Sequence, residues 1–177
     1  MILKDAVELI TIGTRSSSIV QTWADLGCGS GTFTEALAQI LPEGSTIYAV
    51  DRNKHLLKNI PDSYGKIKVE KSSRNFLESE LPDNLDGILM ANSLHFVEDK
   101  FSFIKKAERY MKPPEIFLIV EYDTEISNPW VPFPLSFISL ENLFKKAEFT
   151  SVIKINEKPS VFRRAKIYSA LISKAEI

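Results

Sequence analysis

The sequence contains few of the residues on which several protein classes depend. It has a single cysteine, Cys28, which excludes an intramolecular disulfide framework and a multi-cysteine metal site. Its two histidines, His55 and His95, are too far apart to form a metal-ligand pair at helical spacing. No apolar run reaches the roughly 18 residues of a membrane span, and the N-terminus lacks the apolar core of a signal peptide. We therefore expect a soluble, cytoplasmic protein.

The sequence also lacks a strong excess of either charge. Lysine and arginine together number 22 and the acidic residues 23, so the net charge is −1. This balance disfavours broad electrostatic binding to nucleic acid, although a local basic face remains possible. The length of 177 residues fits one domain over residues 1–177, and the 44% hydrophobic content is that of an ordinary globular protein.

Strand-like and helix-like patterns alternate along the chain. Strand patterns cover residues 20–26, 46–51, 66–70, 85–91 and 116–122, and helical patterns cover 4–12, 32–41, 53–60, 97–111 and 138–147, the last with Ser139 as N-cap. Two further strands, over 151–157 and 166–173, are expected to form a hairpin. The alternation predicts an α/β fold with a mostly parallel sheet covered on both faces. Ligands of such sheets bind beyond the carboxyl ends of the strands.

Glycine is scarce, but its distribution is informative. Only seven glycines occur, and Gly27, Gly29 and Gly31 lie within five residues, directly after the first strand. Glycines permit positive φ and let a ligand lie against the backbone. Asp51 stands twenty residues after Gly31, at the end of the next strand. A carboxylate there can accept hydrogen bonds from both ribose hydroxyls of a nucleoside, so the two features together predict an adenosine-containing ligand.

The spacing of the glycines separates several kinds of nucleotide site. A dinucleotide fingerprint would need its third glycine at position 32, which is threonine, and a phosphate-binding Walker loop would need Gly-Lys-Ser/Thr. A nicotinamide-dependent oxidoreductase is thus a disfavoured alternative. A turn that serves only close packing of strand and helix is the other alternative.

Three segments resemble the motifs of class I S-adenosylmethionine-dependent methyltransferases, especially their small-molecule branch. They are residues 25–31 (DLGCGSG), 85–96 (LDGILMANSLHF) and 112–115 (KPPE), the last where this family usually has Lys-Pro-Gly-Gly. The resemblance runs from about residue 20 to the end of the chain. It implies a three-layer Rossmann-like fold with a seven-stranded sheet and an antiparallel last strand. The segment 91–94 (ANSL) lacks the Asn/Asp-Pro-Pro-Tyr/Phe motif of amino-group methylases, which disfavours that chemistry.

The resemblance also implies S-adenosylmethionine as cofactor and assigns residues to its two ends. For the methionine and ribose end these are Asp25, Gly27, Cys28, Gly29, Gly31, Asp51, Ala91 and Asn92, with Asp25 near the amino group and Asp51 on the ribose. For the adenine they are Arg52, which would flank the ring, Asn75, whose amide oxygen could accept from the adenine amino group, and Phe76, through its backbone.

Methyl transfer requires mainly that the protein align the acceptor with the methyl group of the cofactor. A phenol, carboxylate or amine acceptor can also require proton removal. His95, just past the fourth strand, is the candidate base, and its alternative role is a helix-start histidine bonded to backbone. We expect His55 to be a surface residue and Cys28 a small filler rather than a nucleophile.

Several segments bear on the acceptor. Residues 127–138 (SNPWVPFPLSFI) contain three prolines and three aromatic residues, which could wall an apolar substrate pocket or only cover the edge of the sheet. A basic cluster at the closing hairpin, Lys158, Arg163, Arg164 and Lys166, could bind an anion or be a solvated turn. Residues 1–19 form only a short N-terminal cap. The resemblance to the small-molecule branch implies a small-molecule acceptor, and an RNA or protein acceptor, or a non-catalytic binding subunit, are the alternatives.

Overall fold

The fold is a mixed β-sheet between two layers of helices. The computed structural model describes residues 1–11, 19–159 and 165–175. Its strands are β1 (Thr22–Leu26), β2 (Thr46–Asp51), β3 (Ser63–Tyr64), β4 (Ile67–Ser73), β5 (Gly87–Ala91), β6 (Phe117–Tyr122), β7 (Ser151–Pro159) and β8 (Lys166–Ser173). Its α-helices are α1 (Leu3–Ile10), α2 (Thr32–Ile40), α3 (Lys54–Leu57), α4 (Lys100–Ala107) and α5 (Phe137–Lys146).

The sheet has the strand order β3-β4-β2-β1-β5-β6-β8-β7. The strands β4, β2, β1, β5 and β6 are parallel, and β8 runs antiparallel to both of its neighbours, β6 and β7. This confirms the predicted α/β fold, the closing hairpin and the antiparallel last strand. The sheet has eight strands rather than seven, because β3 adds a two-residue antiparallel pairing at one edge, too short to leave an alternating pattern in the sequence.

The hydrophobic core is divided between the two faces of the sheet. One face is covered by α4 and α5, where Phe117, Phe144 and Phe149 pack edge to face with ring centroids 5.2–5.6 Å apart. The other face is covered by α1 and α2, whose Leu9 and Leu37 are fully buried. The helical stripes seen in the sequence therefore face the sheet, which confirms three layers. None of the described helices has the length and apolarity needed to cross a membrane.

Two local features differ from the sequence pattern. The N-cap of α5 is Ser136 rather than Ser139, because the Ser136 hydroxyl accepts from the backbone N–H of Ser139, 3.2 Å away. Phe137 and Ile138 therefore already belong to the helix, although Ile138 is exposed and breaks the apolar stripe. In the turn before β6, Glu115 adopts a φ of +48°, the left-handed region where the resembled family places glycine.

Candidate active site

The glycine loop joins β1 to α2 at the carboxyl end of the sheet. Gly27, Gly29 and Gly31 all have positive φ, of 78°, 56° and 91°. A Cβ added at Gly27 would lie 2.5 Å from the Ser93 Cβ, and one at Gly31 would lie 2.6 Å from the Ile60 Cγ1. A Cβ at Gly29 would meet nothing within 4 Å. Close packing therefore explains two of the three glycines, while Gly29 borders open space.

Asp51 ends β2 and binds the glycine loop. Its Oδ2 accepts from the Gly29 N–H at 2.9 Å, and its Oδ1 accepts from the Asn53 N–H at 2.7 Å. Each carboxylate oxygen has a second lone pair, so these bonds leave acceptor capacity for a ligand hydroxyl. The next residue, Arg52, is exposed at the same edge of the sheet.

Asp25 is a buried carboxyl group with one oxygen unpaired. Its Oδ2 accepts from the Thr34 hydroxyl at 2.7 Å, whereas its Oδ1 is fully buried and has no hydrogen-bond partner. Burial raises the pKa of Asp25 from 3.8 to about 7, the Thr34 hydrogen bond opposes that rise, and the negative charge of Asp51 adds to it. An unpaired buried acceptor of this kind favours a ligand with a positively charged donor.

The turn after β5 supplies a second unpaired acceptor. Asn92 follows Ala91, the last residue of β5, and takes a φ of 53° that asparagine tolerates better than most residues. Its N–H donates to the Val120 carbonyl at 2.8 Å, while its side-chain Oδ1 is buried without a partner. The neighbouring Ser93 donates its hydroxyl to the Leu26 carbonyl at 2.6 Å, which joins this turn to the glycine loop.

The segment predicted to contact adenine, residues 75–76, also lies at the carboxyl end of the sheet. Phe76 packs edge to face on Phe103, and one of its ring carbons is 3.5 Å from the Cβ position of Gly27. Asn75 begins a turn in which its amide oxygen accepts from the Leu77 N–H at 3.2 Å and its amide nitrogen donates to Glu78 at 2.9 Å. The Asn75 oxygen thus already carries one local hydrogen bond and has one lone pair left.

His95 forms a buried pair with a residue on the neighbouring strand. It lies in a single 3-10 turn, Leu94–Phe96, and its Nδ1 is 2.7 Å from Oε2 of Glu121 on β6. The backbone N–H of His95 donates to the other Glu121 oxygen at 3.0 Å. Both residues are almost completely buried, His95 at 3% and Glu121 at 1% exposure. The ring therefore pairs with a carboxylate, not with the backbone.

The two remaining reactive residues have the surroundings expected for them. Burial, together with the negative charges of Asp25 and Asp51, raises the pKa of the Cys28 thiol, which argues against a thiolate nucleophile. His55 is exposed, in α3. Among the described residues no group of three or more histidine, cysteine or acidic side chains could hold a metal ion.

The segment 127–138 divides between core and surface. Val131 and Leu135 are buried, while Trp130 is 78% exposed and Phe133 is partly exposed. The Phe133 N–H donates to the His95 carbonyl at 3.0 Å, so the segment lies directly against the His95 turn. Part of it covers the core, and the rest presents aromatic surface beside the site.

The basic cluster is largely neutralised where it is described. Lys158 pairs with Asp5 at 2.7 Å and also with Glu8, and Lys166 pairs with Glu157. Arg163 and Arg164 lie outside the described residues. The two lysines thus hold the hairpin to α1 and to itself.

Three residues that shape the site were not identified from the sequence. They are Thr34, Ser93 and Glu121, which contact Asp25, the glycine loop and His95. Thr34 and Ser93 leave no signal, since small hydroxyl residues are common near turns. Glu121 does leave one, because it is a lone charge in the otherwise apolar strand Phe117–Tyr122.

Comparison with known proteins identifies the family of this chain. Residues 24–119 match the family described as methyltransferase domain. A curated malonyl-[acyl-carrier protein] O-methyltransferase 2 of Ilyobacter polytropus is 23% identical over 82% of this chain and 60% of its own length. A ubiquinone biosynthesis O-methyltransferase of Pseudomonas paraeruginosa is 29% identical over 60% of this chain and 47% of its own length. The chain thus spans about half the length of these curated relatives.

Solved structures share the fold at low sequence identity. The YcgJ protein of Bacillus subtilis superposes with a TM-score of 0.76 at 13% identity, covering 98% of this chain and 100% of that one. A 1,6-didemethyltoxoflavin-N1-methyltransferase of Burkholderia thailandensis, solved with S-adenosylhomocysteine, gives 0.73 at 17% identity, covering 98% of this chain and 78% of that one. Since the family match covers more than half of the chain, this protein belongs to the methyltransferase domain family.

Proposed function

We propose that this protein binds S-adenosylmethionine at the glycine loop and transfers its methyl group to a small-molecule acceptor. The observation that best supports this proposal is that two buried side-chain oxygens lack hydrogen-bond partners. They are Asp25 Oδ1 and Asn92 Oδ1, near the ends of adjacent strands. Buried acceptors without donors are costly, and an ammonium group is a donor that either oxygen could accept from. The amino group of the methionine part of the cofactor is such a donor, so the residues present fit this ligand.

The remaining cofactor contacts follow from the positions of the other loop residues. Gly29 borders open space and leaves its backbone accessible, and the residual acceptor capacity of Asp51 suits the ribose hydroxyls. Phe76 and Asn75 would lie along the adenine, with Arg52 on its outer side. Cys28 and Ala91 would contribute backbone and small side-chain surface, while Gly27 and Gly31 keep the loop closed against Ser93 and Ile60.

The chain has limited chemical work to do in the reaction. When bound, S-adenosylmethionine supplies a methyl group made electrophilic by its sulfonium. The protein must hold the acceptor in line with that group and remove a proton where the acceptor carries one. His95 would be the base. The aromatic surface of residues 127–138, against the His95 turn, would line the acceptor side of a single domain.

The names of the curated relatives support an oxygen acceptor on a small molecule. Both are O-methyltransferases, whereas the Burkholderia neighbour is named for methylation at nitrogen. We therefore favour an ionisable hydroxyl or carboxyl group. The test incubates the protein with S-adenosylmethionine and a phenol, a carboxylic acid or an amine, and follows S-adenosylhomocysteine and the methylated product by mass spectrometry. If the protein binds the cofactor but methylates none of the three acceptors, a macromolecular acceptor or a non-catalytic binding subunit would be favoured.

Replacing Asp51 with alanine is expected to weaken binding of S-adenosylhomocysteine by about 1–3 kcal/mol. The loss would have two sources: the ribose contact, and the release of the Gly29 N–H that Asp51 now holds. Calorimetric titration measures it. Asp83→Ala is the control, because it removes the same charge from an exposed position before the amino end of β5. This variant should leave the affinity unchanged. Equal affinity in the Asp51→Ala variant would contradict the ribose assignment.

A further inference from the structure

Glu121 is the unusual residue of the central sheet. It lies on β6 between Val120 and Tyr122, in a strand that is otherwise apolar until its end. Only 1% of it is exposed, and a buried carboxylate is costly unless its oxygens are satisfied. A carboxylate at such a position therefore needs hydrogen-bond partners that offset the free-energy cost of its burial.

Both carboxylate oxygens of Glu121 form hydrogen bonds with His95. Oε1 accepts from the His95 backbone N–H at 3.0 Å and Oε2 is 2.7 Å from the His95 Nδ1. The other polar groups near Glu121 have partners elsewhere: the Lys100 Nζ donates to the Val97 carbonyl and the Tyr168 hydroxyl donates to the Leu135 carbonyl. The carboxylate thus fixes both the backbone and the ring of His95.

This arrangement determines which ring nitrogen carries the proton. An ionised carboxylate only accepts hydrogen bonds, so the Nδ1 that faces Oε2 must be a donor. In a neutral imidazole the other nitrogen, Nε2, is then a bare acceptor. Among the described residues, none forms a hydrogen bond with Nε2, so its lone pair is not used by them.

The rings around His95 restrict its orientation further. Phe96 lies against it with centroids 4.4 Å apart, and Tyr122 lies 6.2 Å away. The carbonyl of His95 accepts from the Phe133 N–H of the segment 127–138. The ring is thus held by a carboxylate and by packing, three residues beyond Asn92, at the carboxyl end of the sheet.

We propose that Glu121 is a positioning residue that holds His95 as the Nδ1–H tautomer, with Nε2 free to take a proton from the acceptor. The step would form an Nε2–H bond as the acceptor O–H bond breaks, leaving its electron pair on the oxygen that attacks the methyl group. Glu121 would then face an imidazolium, whose charge it balances. The catalytic part of this proposal rests on the proposed function, whereas the tautomer itself does not.

The tautomer can be measured directly because the chain has only two histidines. Selective 15N labelling of histidine gives one set of ring resonances for exposed His55 and one for His95, and His55→Gln assigns them without touching the site. We expect the neutral ring of His95 in the wild-type protein to be predominantly the Nδ1–H tautomer. In Glu121→Gln, the side-chain amide can donate to Nδ1, so the population should move to the Nε2–H tautomer.

The outcomes separate this proposal from the proposed function. A wild-type His95 that is predominantly Nε2–H, or unchanged tautomer populations in a folded Glu121→Gln, would overturn it. Should Glu121→Gln fail to fold, the wild-type spectrum alone decides the tautomer. Binding of S-adenosylhomocysteine should be the same in wild type and Glu121→Gln, and failure of both to bind would count against the proposed function and leave the tautomer result intact.

Discussion

Replacing Gly29 with alanine is expected to weaken binding of S-adenosylhomocysteine at least tenfold while lowering the free energy of unfolding by only about 1–2 kcal/mol. The modest cost in stability follows from the φ of +56°, because an added Cβ meets no protein atom within 4 Å. The large cost in binding follows from the methyl group standing in the space that we assign to the cofactor, where the backbone must approach the ligand closely.

The chain offers a matched control for this variant. Gly65 has a φ of +59° and likewise nothing within 4 Å of its Cβ position, but it lies in the short hairpin between β3 and β4. Gly65→Ala should lose a similar amount of stability and no affinity. Thermal unfolding and calorimetric titration of both variants measure the two effects separately. An affinity that falls equally in the two variants, or in neither, would remove Gly29 from the proposed site.

Replacing Asp25 with asparagine is expected to stabilise the free protein above neutral pH and to weaken cofactor binding. A carboxyl group whose pKa in the folded state, about 7, exceeds its unfolded value of 3.8 contributes stability only while it is protonated. That stability is complete below pH ~4 and is lost as pH rises towards 7. Asparagine has no charge to bury, so its advantage grows over this range and reaches about 2–4 kcal/mol at pH 8.

The effect on binding has the opposite sign. The unpaired Asp25 Oδ1 would bind the amino group of the cofactor as an ionised acceptor, and a hydrogen bond to a charged group contributes about 1.5–3 kcal/mol. Asp25→Asn should thus bind S-adenosylhomocysteine about ten- to a hundredfold more weakly at pH 8, and wild-type affinity should fall as pH decreases below about 7.

Unfolding curves and titrations at pH 5 and pH 8 measure both effects. Asp86→Asn is the contrasting variant, since Asp86 accepts from the Thr22 N–H and pairs with Lys112, and its loss should destabilise the protein. An Asp25→Asn variant that is less stable than wild type at pH 8 would contradict an uncompensated buried carboxyl group.

The sequence was sufficient for the features that rest on periodicity and on glycine. The strand Thr46–Asp51 was predicted with its observed bounds, because a short apolar run lies between a glycine turn and a polar loop. The glycine loop was located from its clustering, and all three glycines have the positive φ that the clustering implied. Such signals are local, so a single sequence carries them.

Features that depend on distant contacts were not predictable. The pairing of His95 with Glu121 spans 26 residues and two strands, and no local pattern links them. The strand Ser63–Tyr64 is defined by its pairing with β4 rather than by its own residues. The N-cap of α5 is Ser136 and not Ser139, and Ile138, which the pattern counted in the apolar stripe, is exposed. Tertiary contacts, rather than propensity, determined the first two of these features.

Calorimetric titration of the wild-type protein with S-adenosylhomocysteine tests the central claim most directly. The proposed site predicts saturable binding of one molecule per chain, stronger at pH 8 than at pH 5 because the Asp25 carboxyl must be ionised to receive the amino group. The absence of detectable binding at either pH, with the protein shown to be folded by its thermal unfolding transition, would contradict the account.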